Sequence, residues 1–129
     1  MLYTKKLKQL HPYVFAGLND NYLMDHTFKA RILPEIAILE AVSEYLGVEV
    51  EDVQGQSRNA ELVIARHISM YLIKKHSMMS LKSIGSLFGD RDHATVIHAC
   101  KTVKNRAETD KRYRKRLDMC RNHVLLKLS

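Results

Sequence analysis

The feature that most constrains the fold is a pair of short helical segments separated by a glycine. Ser80 and Asp92 are good N-caps, and they predict one helix over residues 81–88 and a second from residue 93 to about residue 107. Gly89 supplies the positive φ that a tight turn between them requires. The pattern predicts a helix-turn-helix in which Gly85 is small where the helices cross closely. The apolar residues expected to face each other are Ile84, Leu87, Phe88, Val96, Ala99 and Cys100.

Helical patterns also precede this unit. Pro34 suits the first turn of a helix and Gly47 suits its C-terminal stop, so one helix is predicted between them. Asn59 is expected to cap a long helix from residue 60 to about residue 76. Residues 48–59 are predicted to form a linker. The apolar residues at helical spacing are Ile36, Leu39, Val42 and Leu46 on the first helix and Ile64, Ile68, Tyr71 and Leu72 on the second.

A last helix is predicted to open at Thr109 or Asp110 and to run to about Leu128. The predicted fold class is therefore all-α, an orthogonal bundle of five or six helices. Residues 34–129 are interpreted as one domain, because this length suffices for a hydrophobic core without disulfides or metals. Residues 1–33 are interpreted as an N-terminal extension of unknown role.

The charge of the chain is distributed unevenly. The formal net charge is +7, but residues 1–55 carry 5 basic and 8 acidic groups, whereas residues 56–129 carry 16 and 6. This asymmetry indicates that the second part meets a polyanion, with a solvated basic surface as the alternative. The run that is interpreted as a solvated face, with extra phosphate contacts as the alternative, is Lys111, Arg112, Arg114, Lys115 and Arg116.

Several classes of function are not supported by the sequence. Cys100 and Cys120 lack metal or redox spacing and are interpreted as reduced thiols. His93 and His98 are five residues apart on a helix, which is a poor spacing for a shared metal, and no acid–base set converges; we expect no metal, no cofactor and no enzyme. The chain shows no secretory signal and no apolar run near the roughly 18 residues of a membrane span, so a cytoplasmic protein is expected. The residues interpreted as core rather than cofactor-binding are Met70, Tyr71 and Met119.

Residues 84–100 also match a specific motif. They resemble the signature of the C-terminal DNA-binding domain of the bacterial DnaA replication initiator, Ile-Gly-x-x-Phe-Gly-x-Arg-Asp-His-Thr-Thr-Val-x-His-Ala. The resemblance extends from about Pro34 through the last helix, and it implies an orthogonal, TrpR-like bundle. The residues that carry it are Ile84-Gly85, Phe88-Gly89, Arg91-Asp92-His93, Thr95-Val96 and His98-Ala99, with Val53, Arg58, Ala65-Arg66 and Met70-Tyr71-Leu72 upstream.

The resemblance implies sequence-specific binding of double-stranded DNA at A·T-rich, initiator-box-like sites. It further implies a nucleoid-associated protein that acts in replication initiation or its regulation. Arg58 matches an arginine that enters the minor groove, whose negative potential attracts a guanidinium. Arg66 and Lys74 match positions that approach the DNA backbone. Asp92 and His93 match residues that read or approach bases in the major groove.

Other positions match or depart from the family pattern. Thr95 matches a backbone-contacting threonine, but Ala94 replaces a threonine and keeps only a methyl for contact with thymine. His67 stands where glutamine is common, Lys82 where proline is common, and Asp90 where glycine is frequent. The candidate DNA-binding residues are therefore Arg58, Arg66, His67, Lys74, Lys82, Arg91, Asp92, His93, Ala94 and Thr95.

A different class of function remains as the alternative. The chain could be a protein-interaction or transcription-regulatory module that kept the fold but changed or lost the DNA site, and Asp90 and Ala94 favour this alternative. The sequence contains no G-x-x-x-x-G-K-[ST] phosphate loop. We therefore expect no bound nucleotide and no ATP-driven initiation by this chain alone.

Overall fold

The computed structural model describes residues 33–128, and in that range every regular element is a helix. The all-α prediction is therefore confirmed. Apart from Leu33, the predicted N-terminal extension lies outside the described residues. The helices are α1 (Glu35–Leu46), α2 (Val50–Val53), α3 (Ala60–His76), α4 (Leu81–Leu87), α5 (His93–Thr109) and α6 (Lys111–Leu128).

One hydrophobic core joins these helices, and α3 lies at its centre. Helix α3 packs against α1, α2, α4 and α5, while α6 packs against α1 and α5. Burial of each large apolar side chain stabilises the bundle by about 1.5–3 kcal/mol. The helix-turn-helix contributes Ile84, Phe88, Val96 and Ala99, all fully buried. The largest other fully buried side chains are Ile38, Leu39, Ile68, Met70, Leu72 and Ile73.

Four helix starts follow from local side-chain chemistry. Asn59, Ser80, Asp92 and Asp110 each accept a backbone N–H bond with a side-chain oxygen, at 2.9–3.4 Å. Such caps satisfy amides that the first turn of a helix leaves without intrahelical acceptors. The caps predicted at Asn59, Ser80 and Asp92 are confirmed, and of the two predicted starts of the last helix, Thr109 and Asp110, the structure has Asp110.

The turn of the helix-turn-helix depends on two glycines. Gly89 has φ 73°, as the sequence predicts. A Cβ at Gly85 would lie 2.0 Å from the carbonyl oxygen of Arg91. The Arg91 amide in turn donates to the Gly85 carbonyl at 2.9 Å. Gly85 is thus required by the close approach of the turn backbone, rather than by a crossing of α4 over the body of α5.

The structure corrects several expectations. The predicted linker 48–59 contains the one-turn helix α2, which buries Val53. Pro34 is the N-cap of α1, with extended backbone, rather than part of its first turn. Ile36 is 37% exposed and Met119 is 49% exposed, so neither belongs to the core. In α1 the buried stripe includes Ala37, Ile38 and Ala41, which shifts its inward face away from Ile36.

Candidate nucleic-acid interface

The first turn of α5 presents a row of short, exposed side chains. Asp92, His93, Ala94 and Thr95 are all exposed. Oδ1 of Asp92 accepts hydrogen bonds from the amide and the hydroxyl of Thr95, both at 2.9 Å. These bonds, the amide first, lower the pKa of the Asp92 carboxyl. His93 and Ala94 contribute first-turn amides, which have no intrahelical acceptor and favour an anion.

Arg58 lies on the loop that leads into α3. Its side chain is exposed, and it directly precedes the capping residue Asn59. The Asn59 amide donates to the hydroxyl of Ser57 at 3.1 Å, so the backbone on either side of Arg58 is held. The loop therefore places a long cation at a defined point beside the N-terminus of α3.

Arg66 holds this loop from inside the fold. Arg66 is buried, with only 5% of its surface exposed. Nε donates to the carbonyl of Val53 at 2.8 Å, and the two Nη groups donate to the carbonyls of Ser57 at 3.1 Å and Asp52 at 3.4 Å. Burial, and then the charge of Arg91, lower the pKa of the Arg66 guanidinium. The donors expected to approach DNA are instead engaged with the end of α2 and the start of the loop.

A second arginine connects the loop to the helix-turn-helix. Arg91 is half-buried; its guanidinium donates to the carbonyl of Phe88 and, at 3.0 Å, to the carbonyl of Gly55. Gln54 Nε2 donates to the carbonyl of Leu87 at 2.8 Å. We call residues 54–56 and 87–91 the loop–turn seam. Through this seam the loop of Arg58 and the start of α5 are fixed relative to each other.

The backbone of the seam is closely packed around Gly89. A Cβ there would lie 2.9 Å from Nε2 of Gln56 and 3.0 Å from the carbonyl oxygen of Gln54. Both glutamines were missed by the sequence analysis. The only signal was a pair of glutamines on either side of Gly55 in a predicted linker, which does not by itself indicate a partner.

The remaining predicted cations lie around this arrangement. His67 is half-buried, and burial, followed by the charge of His98, lowers its pKa. Lys82 is exposed in the first turn of α4. Lys74 is exposed about two turns along α3 from Arg66. The structure does not bring Lys74 into the seam. Burial raises the pKa of the Cys100 thiol, and the nearby charge of Lys74 partly opposes that rise.

Other kinds of site are not found in the described part of the chain. Between residues 33 and 128, His, Cys, Asp and Glu do not form a group of three that could hold a metal ion. In the same range no helix combines the length and apolar character needed to cross a membrane.

Comparison with known proteins identifies the same region. The family model described as "Bacterial dnaA protein helix-turn-helix" matches residues 36–103. The chromosomal replication initiator protein DnaA of Flavobacterium psychrophilum is 46% identical over 81 residues, 63% of this chain and 17% of that protein. DnaA 2 of Chlamydia pneumoniae is 39% identical over 88 residues, and DnaA of Roseiflexus castenholzii is 35% identical over 103 residues. The chain spans about a fifth of the length of the curated relatives that it matches.

Proposed function

Because this chain belongs to the bacterial DnaA helix-turn-helix family, we propose that it binds double-stranded DNA sequence-specifically at A·T-rich, initiator-box-like sites. We place this binding in replication initiation or its regulation, in line with the names of its relatives. The observation that carries the proposal is the loop–turn seam. It fixes an exposed arginine, Arg58, and the exposed first turn of α5 in one rigid arrangement.

In this proposal α5 enters the major groove by its N-terminus. Side chains of the first turn of such a helix reach base edges. His93 reads bases, and the methyl group of Ala94 contacts a thymine methyl. The amides of His93 and Ala94 bind phosphate, and on DNA the hydroxyl hydrogen of Thr95 turns from Asp92 to a phosphate oxygen. These contacts fix the position of the helix without carrying sequence information. Asp92 caps α5 through its bond to the Thr95 amide, which it keeps when DNA is bound.

Arg58 enters the adjacent minor groove. A narrow A·T-rich minor groove has an enhanced negative potential that favours an inserted guanidinium. Arg66 and Arg91 act as positioning residues, because their hydrogen bonds to the backbone define where the loop lies. The prediction that Arg66 contacts the DNA backbone is thereby replaced in our proposal by an indirect role. The other residues to which we assign contacts with the DNA backbone are His67, Lys74 and Lys82.

The first test is selection of bound sequences from a random duplex pool. We expect enrichment of an A·T-rich motif. Affinity for the selected duplex should fall with salt with a log–log slope of about −4 to −6, as expected for four to seven phosphate contacts. Absence of enrichment would instead support the alternative, a protein-interaction or regulatory module. The observation that favours this alternative is Asp90, which places a carboxylate in the turn, within the seam.

A pair of variants then separates base reading from docking. His93→Ala should lower the ratio of specific to nonspecific affinity, with roughly 1–3 kcal/mol lost per base contact. Thr95→Val should weaken binding to selected and scrambled duplexes by similar factors, because a phosphate contact does not report sequence. Binding titrations on the two duplexes compare the variants. If neither variant changes the specificity ratio, α5 is not the reading helix.

A further inference from the structure

An ion pair places α6 beside the loop of Arg58. Nη2 of Arg116 lies 2.6 Å from Oε2 and 3.1 Å from Oε1 of Glu61. Glu61 is in the first turn of α3, three residues after Arg58. Three peptide units limit the separation of the Arg58 and Glu61 Cα atoms to about 11 Å. The N-terminal half of α6 therefore borders the same edge of the molecule as the exposed loop.

The buried face of α6 shows which of its cations point toward that edge. The buried residues are Tyr113, Leu117, Cys120, Val124 and Leu128. With about 100° between successive residues, Arg116 lies about 80° to one side of the centre of this face. Arg112 is about 120° from the centre on the same side, and Lys115 is opposite the core. Both side chains are exposed.

The other flank of α6 provides an internal comparison. Arg114 and Arg121 lie about 80° and 60° from the centre of the buried face, on the side away from Arg116. Both pair with Asp118, at 3.8 Å and 3.3 Å. Arg112 and Arg116 therefore lie on the flank that faces the α3 N-terminus, Arg114 and Arg121 lie on the other flank, and Lys115 lies between the two on the outward face.

Two carboxylates near the N-terminal half of α6, Glu61 and Asp110, are paired with cations. Arg116 neutralises Glu61, whose pKa it lowers through the hydrogen bond. Asp110 accepts two backbone amides at the start of α6 and lies 3.9 Å from a guanidinium nitrogen of Arg106. The negative charges of these two carboxylates are therefore compensated where a polyanion would meet Arg112 and Lys115.

We propose that Arg112 and Lys115 form a phosphate-binding track on α6 that extends the DNA interface beyond the minor groove entered by Arg58. This inference rests on the proposed function. The walls of a minor groove are the two phosphate backbones, only about 6 Å apart in B-DNA. A side chain inserted into that groove therefore brings the protein surface beside it close to the phosphates that border the groove. The partner of the track is the duplex that flanks the recognised site.

The test compares duplexes that differ only in length. The selected sequence is prepared as a minimal duplex and as duplexes extended by about one helical turn at either end. The Arg58 end is the one at which Arg58→Ala changes base preference. We expect the wild-type chain to bind the duplex extended at that end roughly five-fold more tightly at 0.1 M salt, with a log–log slope steeper by about 2, one unit per phosphate.

Two double variants test which cations of α6 produce the gain in affinity for the extended duplex. Arg112→Gln with Lys115→Gln should abolish the gain from extension and leave binding to the minimal duplex within two-fold, an approximate bound for a screened exposed charge. Arg114→Gln with Arg121→Gln removes the same charge from the other flank of α6 and should keep the gain. Thermal unfolding of both variants verifies that the fold is retained.

The outcomes separate the track from the proposed function. Equal loss of the gain in both double variants would show a general charge effect and overturn the track. A gain that survives Arg112→Gln with Lys115→Gln, or no gain for the wild type, would overturn it as well. The proposed function is tested independently, since it fails if the random pool yields no enriched motif or if the selected and scrambled minimal duplexes bind equally.

Discussion

The arginines of the loop–turn seam and the arginine of the loop occupy opposite environments. Arg66 is 5% exposed and donates three hydrogen bonds to backbone carbonyls, and Arg91 is half-buried between the loop and the turn. Arg58, only eight residues before Arg66, is exposed. One residue type therefore occupies two kinds of position at the candidate interface, and in our proposal the inner arginines position the loop while the outer one contacts DNA. Substitution of the inner arginines should change stability, whereas substitution of the outer one should change affinity.

The largest effect is expected where the turn is most closely packed. In Gly85→Ala the new Cβ would lie 2.0 Å from the carbonyl oxygen of Arg91, so the backbone of the turn must move. We expect a loss of more than about 3 kcal/mol in the free energy of unfolding, measured by urea denaturation. Gly55→Ala is the control, because its Cβ would meet neighbouring carbonyl oxygens at 3.4 Å, an ordinary contact. Similar losses in both variants would contradict this account of the turn.

Arg66→Met tests the inner environment directly. The substitution keeps an apolar stem but leaves three carbonyls without their donor, and we expect a loss of about 2–4 kcal/mol in the free energy of unfolding. Lys74→Met is the matched control on the same helix. Its side chain is exposed, so stability should change by less than about 0.5 kcal/mol while DNA affinity falls. A stable Arg66→Met chain with weakened DNA binding would restore Arg66 as a direct contact and remove the distinction.

Arg58→Ala tests the outer environment. Stability should be unchanged, and about 1–3 kcal/mol of binding free energy should be lost, mainly at A·T pairs on one flank of the site. Titrations on duplexes with single base-pair changes measure this dependence. An equal loss on every sequence would mean that Arg58 contacts only the DNA backbone.

The difference between the two environments also explains what the sequence could predict. Asn59, Ser80, Asp92 and Gly89 act on residues within a few positions, so their caps and turn follow from local chemistry. The burial of Arg66 depends instead on carbonyls that the one-turn helix α2 orients. Four residues of helix are too few for a periodic pattern to reveal.

The family resemblance had a related limit. It located candidate residues such as Arg66 and Arg91 at the interface, but a matching position does not show whether its side chain points inward. The bonds of Gln54 and Gln56 to the turn connect residues more than 30 positions apart. Such contacts depend on tertiary packing, which the spacing of residues in the sequence does not encode.

Asp90 provides a smaller test at the turn itself. Its φ of 59° lies in the left-handed region, which favours glycine over aspartate. Asp90→Gly should therefore raise the free energy of unfolding by about 0.5–1 kcal/mol and should strengthen DNA binding by removing a negative charge. Asp90→Asn keeps a side chain that tolerates this φ, so it should strengthen binding with less effect on stability. If neither variant changes affinity, the Asp90 carboxylate does not face the phosphates.

The smallest expected effect concerns pH and His67, which follows Arg66 in α3. Burial and the nearby positive charges lower the pKa of His67 in the folded chain, whereas the unfolded value is about 6.5. Between the two values the unfolded state binds more protons, so stability should fall as the pH drops below about 6.5. Burial is also the main cause of the lowered pKa of His76, so His76 too should make stability fall as the pH drops.

His67→Gln should therefore reduce, without abolishing, the decrease in Tm between pH 7.5 and pH 5.5. The pKa of the Asp92 carboxyl is also lowered, but its protonation changes stability only at pH values well below 5.5. Asp92 therefore does not contribute to the change in Tm between pH 7.5 and pH 5.5. A Tm that rises toward pH 5.5 would show that protonated His67 is stabilised by a partner, and His67 would then belong with the exposed cations rather than with the inner arginines.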